Sequence, residues 1–244
     1  MLEVQNLSKI FFDHRRGAVK AVDDVSFACR NGEIFGLLGP NGAGKTTTLR
    51  ILSTVLAPTK GRATVAGHDV VAEAEAVRRS IGFISSSTAI YDRITPVELL
   101  TYFGQLYGMT REQIARRTDE IVELFGMQEF AHTLNGNLSS GMRQKVSLAR
   151  TIIHDPPVLI FDEPTVSLDV LVAKTVVDFI ATCRERQKCV ILSTHIMNEA
   201  EKLCDRIAII HKGTILAIGT LTELRASIGL TSLEEIFFSL VQPA

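Results

Sequence analysis

Apolar residues recur in short blocks whose spacing changes along the chain. GEIFGLLG, PVLIFDEP and KCVILST contain near-continuous apolar runs bounded by Gly, Pro and polar residues, a pattern that suits parallel strands covered on both faces. EVQNL and VKAVDDVSFAC alternate apolar with polar positions, which suits antiparallel strands with one face in water. TTTLRILSTVL has helical spacing, and the β-branched runs RATVAG, IGFIS and RIAIIHKGTILAIG continue the alternation of strand and helix. The chain therefore reads as α/β. From about residue 95 to about 153 strand signals stop, and PVELLTYFGQLYGM and REQIARRTDEIVELFGM are amphipathic. This predicts a helical insertion within a single domain over residues 1–244 that ends in a helical tail at about 220–244. In the tail, Leu233, Ile236, Phe237 and Leu240 share one face, a stripe expected to pack on the core. Repeats, heptads and low-complexity segments are absent from the sequence.

Charge and cysteine usage then narrow the function classes. Lys and Arg number 26 against 27 Asp and Glu, a formal net charge of −1, so no bulk positive field favours a nucleic-acid partner. Cys29, Cys183, Cys189 and Cys204 lack metal-ligand spacing, which points to reduced thiols in a cytosolic protein. MLEVQNLSK has neither the basic start nor the apolar run of a leader, and no apolar stretch is long enough to span a bilayer. A chain soluble by itself is expected. The Asn-x-Ser matches at Asn6 and Asn137 are accordingly discounted as glycan acceptors.

Four segments carry candidate chemistry. GPNGAGKTT, formed by Gly39, Pro40, Asn41, Gly42, Ala43, Gly44, Lys45, Thr46 and Thr47, fits the phosphate-loop template and lies between an apolar strand and a helix. Its glycines let backbone N–H groups curl around phosphate oxygens, Lys45 reaches the β and γ phosphates, and the Thr46 hydroxyl can ligate Mg²⁺. VLIFDEP ends an apolar strand in two acids at the edge where α/β ligands bind. Asp162 is placed to hold Mg²⁺ through water, and Glu163 to polarise the water that attacks the γ-phosphate. His195 follows VILST at another strand end and is read as a γ-phosphate contact, a setting that His68, His132, His154 and His211 lack. Finally, NLSSGMRQKVSLAR sets a Ser-Ser-Gly turn at the start of a basic amphipathic helix, a second anion-binding turn.

In this order the motifs resemble the nucleotide-binding subunit of an ABC transporter over essentially the whole chain. LSSGM, formed by Leu138, Ser139, Ser140, Gly141 and Met142, resembles the family signature LSGGQ. The resemblance implies that this turn caps the γ-phosphate held by the phosphate loop of a second subunit, either another copy or a paired ATPase, so that ATP joins two chains across composite sites. The hydroxyl of Ser139, the backbone N–H of Gly141 and the dipole of a helix beginning near Gly141 would face that anion. Ser167, Leu168 and Asp169 resemble the D-loop that crosses the same interface. Phe11 stands where the family stacks an aromatic on adenine, with Phe12 as the alternative. The family further implies hydrolysis by Glu163, Lys45 and His195, Mg²⁺ as cofactor, integral-membrane permease partners, and a peripheral position on the cytoplasmic face of the membrane.

Two departures stand out. Many relatives place a Gln after the strand that corresponds to IGFIS, whereas this chain has Ser85, Ser86 and Ser87, with Ser86 at the Gln position. The signature carries Ser140 for a Gly and Met142 for a Gln. Within the family, IYDRITPVELLTYFGQLYGM, GMRQKVSLAR, IIHDP and STHIMNEAE most resemble ATPases of sodium-exporting systems, and the same phrases occur in exporters of drugs, lipids and polysaccharides. A nucleic-acid or ribosome-associated ATPase of the superfamily would predict paired cassettes, a long coiled coil or a basic tail, none of which this sequence has. A nucleotide-binding regulator without hydrolysis would predict loss of the acid that is present as Glu163.

Overall fold

The computed structural model describes residues 1–13, 17–85, 90–166 and 168–242. In chain order its elements are β1 (Leu2–Asp13), β2 (Gly17–Cys29), β3 (Ile34–Leu38), α1 (Lys45–Leu52), β4 (Lys60–Val65), β5 (His68–Asp69), α2 (Ala74–Ser80), β6 (Ile81–Ser85), α3 (Pro96–Leu106), α4 (Arg111–Leu124), α5 (Ser140–Ile152), β7 (Val158–Asp162), α6 (Val170–Glu185), β8 (Cys189–Thr194), α7 (Met197–Leu203), β9 (Arg206–His211), β10 (Thr214–Gly219), α8 (Leu221–Ile228) and α9 (Leu233–Val241).

The alternating segments near the N-terminus form the antiparallel pair β1–β2, and β4 joins them antiparallel to β1 in a four-stranded sheet of order β2-β1-β4-β5. The run RATVAG thus belongs to this outer sheet. Among the described residues the second sheet has six strands in the order β10-β9-β3-β8-β7-β6. Within it β3, β6, β7, β8 and β9 run parallel to one another, and β10 closes the edge antiparallel to β9. Every residue of β3, β7 and β8 is buried, as their unbroken apolar runs require when both faces are covered. Because β3 lies between β8 and β9 while its own crossover leads away to the edge strand β6, the carboxyl ends of β3, β7 and β8 open into one crevice.

The helical stretch lies within the crossover from β6 to β7, which are direct parallel neighbours with Ser85 opposite Asp162. α3 and α4 each open on a capping box, Thr95 with Glu98 and Thr110 with Gln113, so the first-turn amides are satisfied. Their apolar faces, with Leu99, Leu100, Ile121 and Phe125, meet Val146 and Leu148 of α5 and Phe161 and Leu192 of the sheet in one buried cluster. At about 1.5–3 kcal/mol for each large apolar side chain removed from water, this contact holds the helices to the sheet edge. The C-terminal stripe also packs inward. Leu233 and Ile236 are fully buried with Leu38, Ile207 and Ile209, and Leu240 lies partly buried against them.

Candidate active site

The phosphate-loop residues connect buried β3 to α1 and curl beneath the first turn of that helix. Gly44 caps α1 at φ 106°, in the left-handed region, and a Cβ there would collide with the Ala21 carbonyl oxygen. A Cβ at Gly39 would collide with the Ile210 carbonyl. Gly44→Ala is therefore expected to lower unfolding stability by about 1–3 kcal/mol, read from chemical denaturation; an unchanged midpoint would contradict the close packing. A cavity of about 290 Å³ opens over the loop, lined by Ala21, Asn41, Gly42, Ala43, Gly44, Lys45, Thr46, Thr47 and Glu163. Pro40 borders the same turn through its carbonyl.

Lys45 is buried, and its ammonium has three partners: the Gly39 carbonyl at 2.7 Å, the Pro40 carbonyl at 3.2 Å and Glu163 Oε1 at 3.1 Å. Such a charge persists out of water only because its donors are satisfied. Beside it, the Thr46 hydroxyl donates to Asp162 Oδ1 at 3.1 Å, and the Ser193 hydroxyl donates to the same oxygen at 2.6 Å. Ser193 also accepts from the Glu163 backbone N–H, at 3.1 Å to its hydroxyl and 3.2 Å to its carbonyl. These bonds hold Glu163 at φ 51°, a left-handed backbone that a non-glycine residue adopts only where its surroundings enforce it.

The Glu163 carboxylate is 3.2 Å from His195 Nδ1 through the oxygen that also meets Lys45. Burial alone would raise its pKa, but hydrogen bonds from Lys45 and His195, with their positive charge, outweigh it and hold the carboxyl below its ordinary range. His195 is exposed at the rim. Its turn is tied down by Glu199, which accepts from both Thr165 and Thr194. The structure thus brings Lys45, Thr46, Asp162, Glu163 and His195 together from three strand ends.

The second turn lies apart from this cavity. Ser139 caps α5 by accepting the Met142 N–H at 3.3 Å, so the helix begins at Ser140, one residue before the expected start. Ser139 and Ser140 are exposed, whereas Leu138 is buried and Met142 packs against the same core. The capping bond uses a lone pair of Ser139 and leaves its O–H free to donate. Asp169 caps α6 through the amides of Leu171 and Val172, both at 3.0 Å, and Leu168 is partly buried beside it. A Cβ on Gly141 would stand 3.1 Å from Asp169 Oδ2 and 2.7 Å from Val172 Cγ2. The two segments therefore touch within one chain. Phe11 and Phe12 are both exposed on β1, and Lys9 Nζ lies 5.3 Å from the Phe11 ring centroid. Ser86 and Ser167 fall outside the described residues.

Comparison with known proteins agrees with this geometry. The family pattern described as ABC transporter matches residues 22–166. The ABC transporter ATP-binding protein NatA of Bacillus subtilis is 41% identical over 98% of this chain and 97% of its own length. The chain belongs to the ABC transporter family, as an ATP-binding subunit. The linearmycin resistance ATP-binding protein LnrL of Bacillus subtilis is 35% identical over 94% of this chain and 72% of its own length. A solved ATP-binding subunit of an ABC transporter superposes with a TM-score of 0.89 at 30% identity, covering 98% of this chain and 99% of that one. A dimeric bacterial ABC transporter cassette superposes with a TM-score of 0.81 at 25% identity, over 90% of this chain and 98% of its own.

ABC cassettes generally use ATP with Mg²⁺, and the donors of this ABC subunit fit that ion. Thr46 and Asp162 offer hard oxygen ligands 3.1 Å apart beside the phosphate loop, and Mg²⁺ favours a few protein oxygens supplemented by water and substrate phosphates. Among the described residues no group of three or more His, Cys, Asp or Glu could form an all-protein cage. Sequence reasoning missed Ser193, which orients both acids, and Glu199, which secures the His195 turn. A Ser and a Thr before His195 were the only traces, since what singles them out is that β8 lies beside β7 with Ser193 opposite Asp162.

Proposed function

We propose that this ABC subunit is the ATP-hydrolysing motor of an exporter, working as a pair of cassettes on the cytoplasmic face of the membrane beneath integral-membrane permease subunits. The observation that carries the reading is the Glu163 carboxylate, placed over the phosphate loop between Lys45 and His195. When the triphosphate enters, Lys45 exchanges Glu163 for the β and γ phosphate oxygens. The freed, ionised carboxylate accepts a hydrogen bond from the attacking water and orients it in line with the γ-phosphate. His195, steadied through Nδ1, turns its other ring nitrogen to a γ-phosphate oxygen. Mg²⁺ held at Thr46 and Asp162 supplies charge neutralisation on the β and γ oxygens.

Phe11 stacks on adenine, and a second copy caps the γ-phosphate with the exposed hydroxyl of Ser139 and the amide of Gly141 at the start of α5. Leu168 and Asp169 extend the same contact. The dimeric cassette among the structural neighbours supports this arrangement. Among the described residues no helix is long and apolar enough to cross a membrane, so the reading assigns the cargo path to the permease. Sodium follows from the sequence resemblance, and antibiotics from the resistance named for LnrL. Vesicles reconstituted with the chain and its permease test the reading. ATP-dependent sodium or antibiotic movement with matching ATP turnover is expected, and a purified pair that hydrolyses no ATP would overturn it.

A further inference from the structure

Outside the nucleotide cavity, the segment after β6 is bound closely to the segment before α5. The Asn135 N–H donates to the Ile94 carbonyl at 3.0 Å, the Gly136 N–H donates to the Asp92 carbonyl at 3.0 Å, and the Asn135 side-chain amide donates to the Tyr91 carbonyl at 3.0 Å. Asn135 is fully buried. Gly136 permits the approach, because a Cβ there would press on the Asp92 carbonyl at 3.2 Å. One side chain closes the clasp. Arg143 Nη1 donates to Asp92 Oδ1 at 2.7 Å and to the Asn135 carbonyl at 3.0 Å. Its own backbone N–H donates to the Ser139 carbonyl at 2.9 Å, so the guanidinium that bridges the two segments stands one helical turn from the signature serine.

We propose that Arg143 is a positioning residue for the signature turn: by bridging Asp92 and the Asn135 carbonyl, it fixes the first turn of α5 and hence the direction in which Ser139 and Gly141 face a nucleotide held by a second copy. This role rests on the two-copy reading above. Arg143 touches no residue of the phosphate-loop cavity in this chain. The Asp92 side chain is 64% exposed and that of Arg143 34%, so the pair contributes little to global stability but restricts orientation, and it is screened by salt.

The test uses the full chain carrying Glu163→Gln, which retains bound ATP. Sedimentation measures ATP-dependent dimer formation, and a fluorescent ATP analogue measures binding to the monomer. Adding Arg143→Ala is expected to leave monomer nucleotide affinity and thermal midpoint essentially unchanged while weakening the dimer by on the order of ten-fold or more. Arg143→Lys should recover part of the loss, and Asp92→Arg with Arg143→Asp more than either reversal alone. The difference from the parent should shrink in high salt. If the parent dimerises and the folded Arg143→Ala variant dimerises equally well, or weakens without any recovery by Lys or by the paired reversal, the positioning role is overturned. If the parent itself stays monomeric with saturating ATP, the two-copy reading fails first and takes this role with it.

Discussion

Glu163→Gln is expected to cut steady-state ATP turnover by about 10²–10⁴-fold while ATP binding is retained and the ATP-bound pair accumulates. The amide preserves the size of the side chain and its place over the cavity but cannot serve as the anionic acceptor for the attacking water. Its contacts to Lys45 and His195 lose their charge assistance. Because Glu163 is partly open to solvent, this loss should alter folding stability by no more than about 1 kcal/mol, so the fall in turnover reports chemistry. A turnover assay with dimer sedimentation decides the matter, and a variant of near wild-type turnover would remove Glu163 from the acceptor role.

The same cluster sets a pH signature. In the free chain, burial raises the Glu163 pKa, but Lys45 and His195 lower it further. The carboxylate therefore remains charged down to a pH below the usual range and becomes protonated only there. Once Lys45 transfers to phosphate, part of that support is lost and the pKa rises. The acid limb of kcat, which reports the bound state, should accordingly lie at higher pH than the acid limb of kcat/KM, which reports the free chain. Coincident limbs would contradict the exchange of partners by Lys45.

Lys45→Ala is expected to weaken ATP binding by about ten- to hundred-fold, the cost of removing charge-assisted bonds to phosphate. The ammonium is only 4% exposed and bonded to two loop carbonyls, so truncation also leaves the Gly39 and Pro40 carbonyls without this donor. Titration with labelled ATP should therefore be paired with denaturation. Lys45→Met, which fills more of the space, separates lost packing from lost charge. Unchanged affinity in a folded Met variant would contradict the phosphate-loop assignment.

Much of the chemistry was legible because it is local. A glycine-rich loop between a strand and a helix, two acids closing an apolar strand, and the helical stripe of Leu233, Ile236 and Phe237 each declare themselves within a few neighbouring residues, where backbone sterics and the periodicity of burial act directly. The resemblance of LSSGM to a family signature likewise rests on contiguous residues. The part played by Ser86 has no structural answer, since it lies outside the described residues.

By itself the sequence determined the α/β alternation, the phosphate loop, the acid pair and the place of the helical insertion. Only the tertiary structure decided that RATVAG joins the outer sheet, that Ser193 faces Asp162 and orients Glu163, that one oxygen of Glu163 serves Lys45 and His195 together, and that Arg143 ties Asp92 to the signature turn. The division has a physical cause. Torsional preference and apolar spacing are properties of adjacent residues, whereas strand order and register follow from the total burial and hydrogen bonding of segments distant along the chain, and no short stretch records that sum.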